Sequence, residues 1–301
     1  MKKVVAVMGG IAIDLEAKPY KKLLMEESNP GRLEITCGGV GRNIAENLQR
    51  MGGMNVFFFS AVGEDIYAEK ALQSIASIGV NTECVCRISK AHTATYLSIL
   101  DETGNMALAV AAMDIFDRIL PDMAKEATDS FCKADFIVLD ANLSEEMLVY
   151  VAEKFKNKRI FLDPVSIEKA KKVRGILNRC HTIKPNKAEA EILSGIKINN
   201  DKDLEAASEI LIKKGIKRVF ISLGKEGVFY KDQTGSGKLS PPKNLKTVST
   251  TGAGDAMSAA IVRSTVLGRD MDRIASEAVL AASLALQVQS AVNENIGDYF
   301  D

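Results

Sequence analysis

Short runs of purely apolar residues recur along the 301-residue chain and alternate with stretches of helical spacing. Val4 to Met8, closed by Gly9-Gly10, has the continuous apolar character of a strand buried on both faces. Asn55–Ser60, Phe136–Asp140, Arg159–Asp163, His181–Lys184 and Arg218–Leu223 read as further strands, with Gly227–Lys231 a second strand after a turn. Between them, Ile44, Leu48 and Met51 form one helical stripe that Gly52-Gly53 stops. Helices are predicted over Asp65–Ile78, Ser144–Phe155, Ile167–Leu177, Asn186–Leu193, Asp201–Lys214 and Ala256–Leu267. Strand–helix alternation of this kind implies right-handed crossovers and a mainly parallel sheet. Three segments break the rhythm. Arg32–Cys37, Thr93–Leu100 and Met106–Ala111 are strands without crossover helices, the last two joined by a turn at Asp101–Asn105. Ser28-Asn29-Pro30-Gly31 reads as another turn. No repeat or linker intervenes, so residues 1–301 are expected to form one domain with a small accessory sheet.

Composition narrows the function by exclusion. Lys+Arg and Asp+Glu both number 39, which leaves no net charge to attract nucleic acid or an acidic membrane. No apolar run reaches membrane-spanning length, and the short run after Met-Lys-Lys is not a signal peptide, so a cytoplasmic protein is expected. Cys37, Cys84, Cys86, Cys132 and Cys180 are scattered and odd in number, as reduced, mostly buried thiols would be. Cys84-Val85-Cys86 has no partner pair at metal-ligand spacing, and His92 and His181 stand alone, so each histidine is read as packed or superficial.

The chemistry concentrates at glycines. In Thr251-Gly252-Ala253-Gly254-Asp255 two glycines precede a helix, whose first amides and dipole favour an anion. Asp255 then stands where a phosphate would also lie, a position suited to a base that deprotonates an attacking hydroxyl. A bare Gly-Ala-Gly-Asp is equally a helix cap after a turn. Gly38-Gly39-Val40-Gly41-Arg42-Asn43 marks a second helix entrance where backbone can approach a ligand closely, and Asp14 follows the first strand near its carboxyl end. Asn186 and Glu189 have the spacing of a capping box. Gly39-Val40-Gly41 lacks the third glycine of a dinucleotide fingerprint, and Gly235-Ser236-Gly237-Lys238 lacks the spacing of a phosphate loop.

Gly38-Gly39 with Asn43, Asn186 with Glu189, Ser222-Leu223-Gly224-Lys225-Glu226-Gly227 and Gly252-Ala253-Gly254-Asp255, in that order, resemble the ribokinase-like sugar and nucleoside kinases. The resemblance implies a three-layer α/β/α fold with a mainly parallel central sheet. It also implies a small β-sheet lid, drawn from about residues 11–37 and 92–113, which often pairs two subunits. It assigns Asp255 as base and Gly252, Ala253 and Gly254 as the anion hole for the transferred phosphoryl group. Asp14, Gly38, Gly39 and Asn43 fall at the sugar. Asn186, Ser222, Gly224, Gly227 and Thr251 fall at ATP, and Glu189 helps place hydrated Mg²⁺. The partners implied are a small nucleoside or sugar and a second copy of the chain, with no nucleic acid and no membrane.

Within the family, Ser28–Gly31, Gly38–Leu48, Asp163-Pro164-Val165-Ser166, Lys184-Pro185-Asn186 and Leu193-Ser194-Gly195-Ile196 resemble the branch that phosphorylates the 5′-hydroxyl of pseudouridine. Two positions depart from that branch. Ala111-Ala112 replace a polar Asn-Asp pair before Met113, and Ser249 stands where many relatives have Asp or Asn near a monovalent-cation site. Three alternatives stay open: a kinase of another nucleoside or a simple sugar such as ribose or fructose, a non-catalytic nucleoside-binding relative, and a structural protein on this fold.

Overall fold

The computed structural model describes residues 2–243 and 245–300. In chain order, β1 (Lys3–Met8), β2 (Ala12–Pro19) and β3 (Gly31–Gly38) lead into helix α1 (Val40–Met51). Then come β4 (Met54–Val62), α2 (Ile66–Ala76), β5 (Val85–Arg87), the hairpin β6 (Thr95–Leu100) and β7 (Met106–Ala112), and the short helices α3 (Met123–Glu126) and α4 (Thr128–Lys133). Regular alternation follows through β8 (Phe136–Asp140), α5 (Glu145–Lys154), β9 (Arg159–Asp163), α6 (Ile167–Lys172), β10 (Thr182–Ile183), α7 (Lys187–Ser194), α8 (Asp201–Lys213) and β11 (Arg218–Ser222). The edge strands β12 (Val228–Lys231) and β13 (Ser236–Leu239) precede the long helices α9 (Ala253–Val266) and α10 (Met271–Ala285).

Nine of the described strands form one sheet in the order β13-β12-β11-β10-β9-β8-β1-β4-β5. Neighbours are parallel from β5 to β11, and only the β12 and β13 pairings are antiparallel. Along β1, Val5 and Val7 enter the apolar layer shared with α1, α2, α9 and α10, while Ala6 and Met8 enter the layer beneath α4 to α8. This alternation makes the strands all-apolar and the fold three-layered. β1 has β4 on one side and β8 on the other, so the crevice at its carboxyl end is the switch point at which open α/β sheets bind ligands.

The second sheet has the order β3-β2-β6-β7. Its two faces differ. One cross-strand row runs Thr36, Asp14, Tyr96, Ala111, and the neighbouring row runs Ile35, Leu15, Leu97, Val110. Leu15 and Cys37 pack on the α2 side, where the Cys37 thiol reaches the Lys70 carbonyl, so the row containing Asp14 faces the other way, into the crevice. Farther out the apolar face is bare, with Leu33 57%, Ile35 38%, Leu108 54% and Val110 53% exposed.

Several local expectations change. The 28–31 turn lies instead at Met25-Glu26, where Glu26 has φ 64°, and Gly31 already belongs to β3. Asn29 ties this loop together: its amide nitrogen donates to the Leu24 and Glu27 carbonyls at 2.7 and 3.0 Å, and its oxygen accepts from the Leu24 amide. The helix expected over Ile167–Leu177 ends at Lys172 and resumes as a 3₁₀ turn at Arg174–Arg179. α10 carries no predicted counterpart, because its buried face is largely alanine (Ala275, Ala278, Ala281, Ala285) and offers little contrast to a periodicity reading. Of the cysteines only Cys180 is buried; Cys132 is exposed, and the other three lie between. Lys238 of the Gly235–Lys238 stretch is on β13, ion-paired with Asp201 and Glu226, which rules out a phosphate loop there.

Candidate active site

The α9 entrance is built on Gly252, whose φ of 79° is left-handed. A Cβ there would also fall 1.8 Å from the Ala291 carbonyl oxygen, so the turn is seated directly on backbone and admits only glycine. The opening amides of α9 have no acceptor within the helix and point out of its N-terminus with the dipole behind them. Asp255 sits in this first turn, half-buried, and its Oδ2 accepts from Asn43 Nδ2 at 2.8 Å. Burial, reinforced by the nearby charge of Asp163, pushes the Asp255 carboxyl up to about 7, despite the opposing effects of Asn43 and Lys184.

Asn43 arrives from the opposite wall. Gly39, at φ 99°, caps α1, and a Cβ on it would lie 2.5 Å from the Gly10 oxygen. This contact, with the Arg42 amide donating to Gly10 O at 3.0 Å, docks the α1 N-terminus on the end of β1. Gly38 leaves room for Asp14, whose Oδ2 would be 2.2 Å from a Cβ at that position. Burial raises the Asp14 carboxyl while the Arg42 charge opposes the rise. The fold thus brings Asp14, Gly38, Gly39, Asn43 and Asp255 together, with Asn43 and Asp255 bonded across a separation of 212 residues in the chain.

The floor of the crevice holds charged residues to which the sequence assigned no role at the site. Asp140 closes β8, fully buried, with Oδ2 accepting from the Gly10 amide at 2.8 Å and Oδ1 from Asn142 N at 2.8 Å. Burial raises its carboxyl too. Asp163 closes β9 and accepts from Ser258 Oγ at 2.7 Å and Val165 N at 2.9 Å, and its Oδ2 lies 3.4 Å from Lys184 Nζ. Lys184 is itself buried. Although burial disfavours its charge, Asp163, Glu189 and Asp255 more than offset this and hold its pKa above the ordinary value. Its Nζ stands 3.7 Å from the Cβ site of Gly254, directly below the glycine turn. Each of the three is a charged residue at the end of an apolar strand, and Asp163 and Lys184 also open the Asp-Pro-Val-Ser and Lys-Pro-Asn segments of the resemblance.

The residues expected at the nucleotide gather around a second feature. Asn186 caps α7, and both Glu189 oxygens accept from it, Oε2 from the backbone amide at 2.8 Å and Oε1 from Nδ2 at 2.7 Å. Glu189 is buried, and burial raises its carboxyl. Ser222 bridges to Asn186 through the backbone. Ser222, Gly224 and Gly227 line a cleft of about 630 Å³ that runs past Thr250 and Gly254 to Val279 and Leu286 on the α10 side. Thr251 lies outside that lining; its amide donates to Ser249 Oγ at 3.2 Å, and Thr250 takes the place on the wall. His92 is fully exposed and His181 packs edge-on against Phe136, both away from the crevice.

Among the described residues no cluster of three or more His, Cys, Asp or Glu side chains forms a ready metal cage. Mg²⁺ does not require one: it keeps several waters and takes one or two carboxylates plus substrate phosphates. The buried acids Asp163 and Glu189, which both act on Lys184, fit that mode.

The sequence pattern of the pfkB family carbohydrate kinases matches residues 2–296. The chain is 35% identical over 295 residues to the pseudouridine kinase of Escherichia coli (strain K12), covering 98% of this chain and 94% of that protein. A solved structure of a putative sugar kinase from Clostridium perfringens superposes with a TM-score of 0.87 at 33% identity, over 98% of this chain and 93% of that one. An Arabidopsis thaliana ribokinase complexed with ribose and ATP shares the fold, with a TM-score of 0.85 at 20% identity, covering 99% of this chain and 98% of that one.

Proposed function

The chain belongs to the pfkB family of carbohydrate kinases, and from that premise we propose that it transfers the γ-phosphoryl group of ATP to the 5′-hydroxyl of pseudouridine. The observation that carries the reading is Asp255: a carboxylate pushed up to about 7, beside the open amides of a helix N-terminus and bonded to the residue that ends the other glycine motif. A base with that pKa is ionised in useful amount near neutrality and still accepts a proton readily.

In this mechanism Asp14, Gly38, Gly39 and Asn43 hold the ribose so that its 5′-oxygen lies between Asp255 and the 252–254 turn. The 5′-oxygen bonds to the γ-phosphorus as the bond from that phosphorus to the β–γ bridging oxygen breaks. The hydroxyl proton passes to Asp255, and ADP leaves. Charge on the transferred group is met by the amides of the turn and by Lys184 below it, so the site acts chiefly by positioning and electrostatics. Asn186, Ser222, Gly224 and Gly227 border ATP, whose base and ribose occupy the apolar cleft. Glu189 would help hold hydrated Mg²⁺, which when bound would supply charge neutralisation to the phosphates.

The substrate rests on the relative that is 35% identical and on the second sheet as a lid. Thr36, Tyr96 and Ser98 present hydroxyls on the face that carries Asp14, and one of them serves the additional ring N–H of pseudouridine, since Ala111 in the same row brings none. Ala111 is also the feature that favours the second reading, a looser kinase of other nucleosides or of simple sugars such as ribose. The bare apolar face of the lid supports a homodimer joined through it. Among the described residues no helix is long and apolar enough to cross a membrane. The deciding experiment is a panel of pseudouridine, uridine, other nucleosides, ribose and fructose with ATP and Mg²⁺, read as ADP release. Pseudouridine is expected to give the highest kcat/KM; a better sugar or nucleoside would replace the substrate, and no turnover with any would remove the activity.

A further inference from the structure

We infer that Arg42 is a positioning residue for the base: it fixes the Asn43 side-chain amide so that Nδ2, and not Oδ1, faces Asp255. The inference rests on the reading of Asp255 as base. Arg42 Nη1 donates to Asn43 Oδ1 at 3.0 Å and to the Cys37 carbonyl at 3.2 Å, while Asn43 Nδ2 donates to Asp255 Oδ2 at 2.8 Å. Flipping the amide would set a donor against the guanidinium and an oxygen against the carboxylate, two repulsions in place of two hydrogen bonds. Arg42 cannot easily move. Its Nη2 is ion-paired with Glu46 one helical turn on at 2.5 Å, and both side chains are buried, at 8% and 6% exposure. Glu46 is steadied in turn by Arg50 at 2.7 Å. The clamp therefore runs from Glu46 through Arg42 and Asn43 to Asp255.

Two consequences follow for the reaction. With Oδ2 held, Oδ1 of Asp255 is the oxygen left to take the proton. The Asn43 amide also has a second hydrogen for a sugar oxygen, so one residue aligns base and substrate together. The groups facing Asp255 divide cleanly: Asp163 and Asp140 favour its protonated form, and Lys184 and Asn43 favour the ionised one. A misplaced Asn43 removes one of the two restraining influences.

The test is a direct titration of the Asp255 carboxyl carbon by NMR in protein labelled at aspartate, with Asp255→Asn supplying the assignment. Because Arg42→Gln alone leaves Glu46 with a weakened partner, Arg42→Gln/Glu46→Gln is measured beside it as a neutral pair that retains the packing. Both are expected to raise the Asp255 midpoint by about 1 pH unit, with the acid limb of kcat/KM moving by the same amount and about a tenfold loss of kcat/KM on that limb. Arg42→Lys, which keeps one donor, should fall between. The same substitutions in an Asn43→Ala background should add nothing. A midpoint that stays put in the folded variants, or moves equally without Asn43, overturns the inference. The midpoint is read without turnover, so it stands or falls apart from the substrate. A wild-type enzyme whose activity ignores the ionisation of Asp255 would instead sink the reading of Asp255 as base.

Discussion

At Asp255 the proposed role as base and the stability of the fold are in tension. Its carboxyl is held near 7 against an ordinary 3.8, so the folded chain keeps a proton that the unfolded chain releases. Stability from this group is therefore fully present below about pH 4 and is lost as the pH rises through about 7. Asp255→Asn removes that loss. Its melting temperature relative to wild type should climb between pH 4 and 7 and then level off, while kcat falls roughly 10²–10⁴-fold. Thermal scans across pH with matched kinetics check both, and a flat difference in melting temperature would deny the raised pKa. Lys184 predicts the reverse cost. Lys184→Met leaves Asp163 and Glu189 buried without their cation, a change expected to cost about 3–5 kcal/mol in denaturant titration. Lys184→Arg should recover part of it. That Asp163 and Lys184 meet was not legible in the sequence, because each is a single charge at the end of a strand and only the parallel sheet lines those ends up. Asp255, Asn43 and Glu189 were legible, since their chemistry is bound to adjacent glycines or to a fixed helical spacing.

Among the elements, α9 depends most on a single position. Gly252→Ala places a side chain in a left-handed backbone, at about 1–2 kcal/mol, and drives it into the Ala291 carbonyl. The expected result is a folded protein with a clearly lower melting temperature and almost no phosphoryl transfer; Gly254→Ala, whose Cβ site has only Lys184 Nζ within reach at 3.7 Å, should keep the fold and lose mainly kcat. Equal loss of stability in both would contradict the seating of the turn on Ala291. The long apolar strands and the capped helices were readable because burial on two faces, or on one stripe, leaves a period. β5, β13 and α10 were not. The first two have only three and four residues, and the third hides its buried face in alanine.

For the molecule as a whole, the second sheet has one polar face toward the crevice and one apolar face with nothing described against it beyond α2. If a second copy covers that face, Leu108→Lys with Val110→Lys should convert a dimer to a monomer in sedimentation velocity and raise the KM of the nucleoside more than that of ATP. A wild-type monomer at micromolar concentration would end the pairing proposal and leave the crevice untouched. The Gly252–Ala291 contact reaches further than catalysis. The turn at the α9 entrance is seated on backbone that comes later in the chain, at Ala291, so whatever loosens the segment around Ala291 loosens the turn with it while α9 itself stays helical.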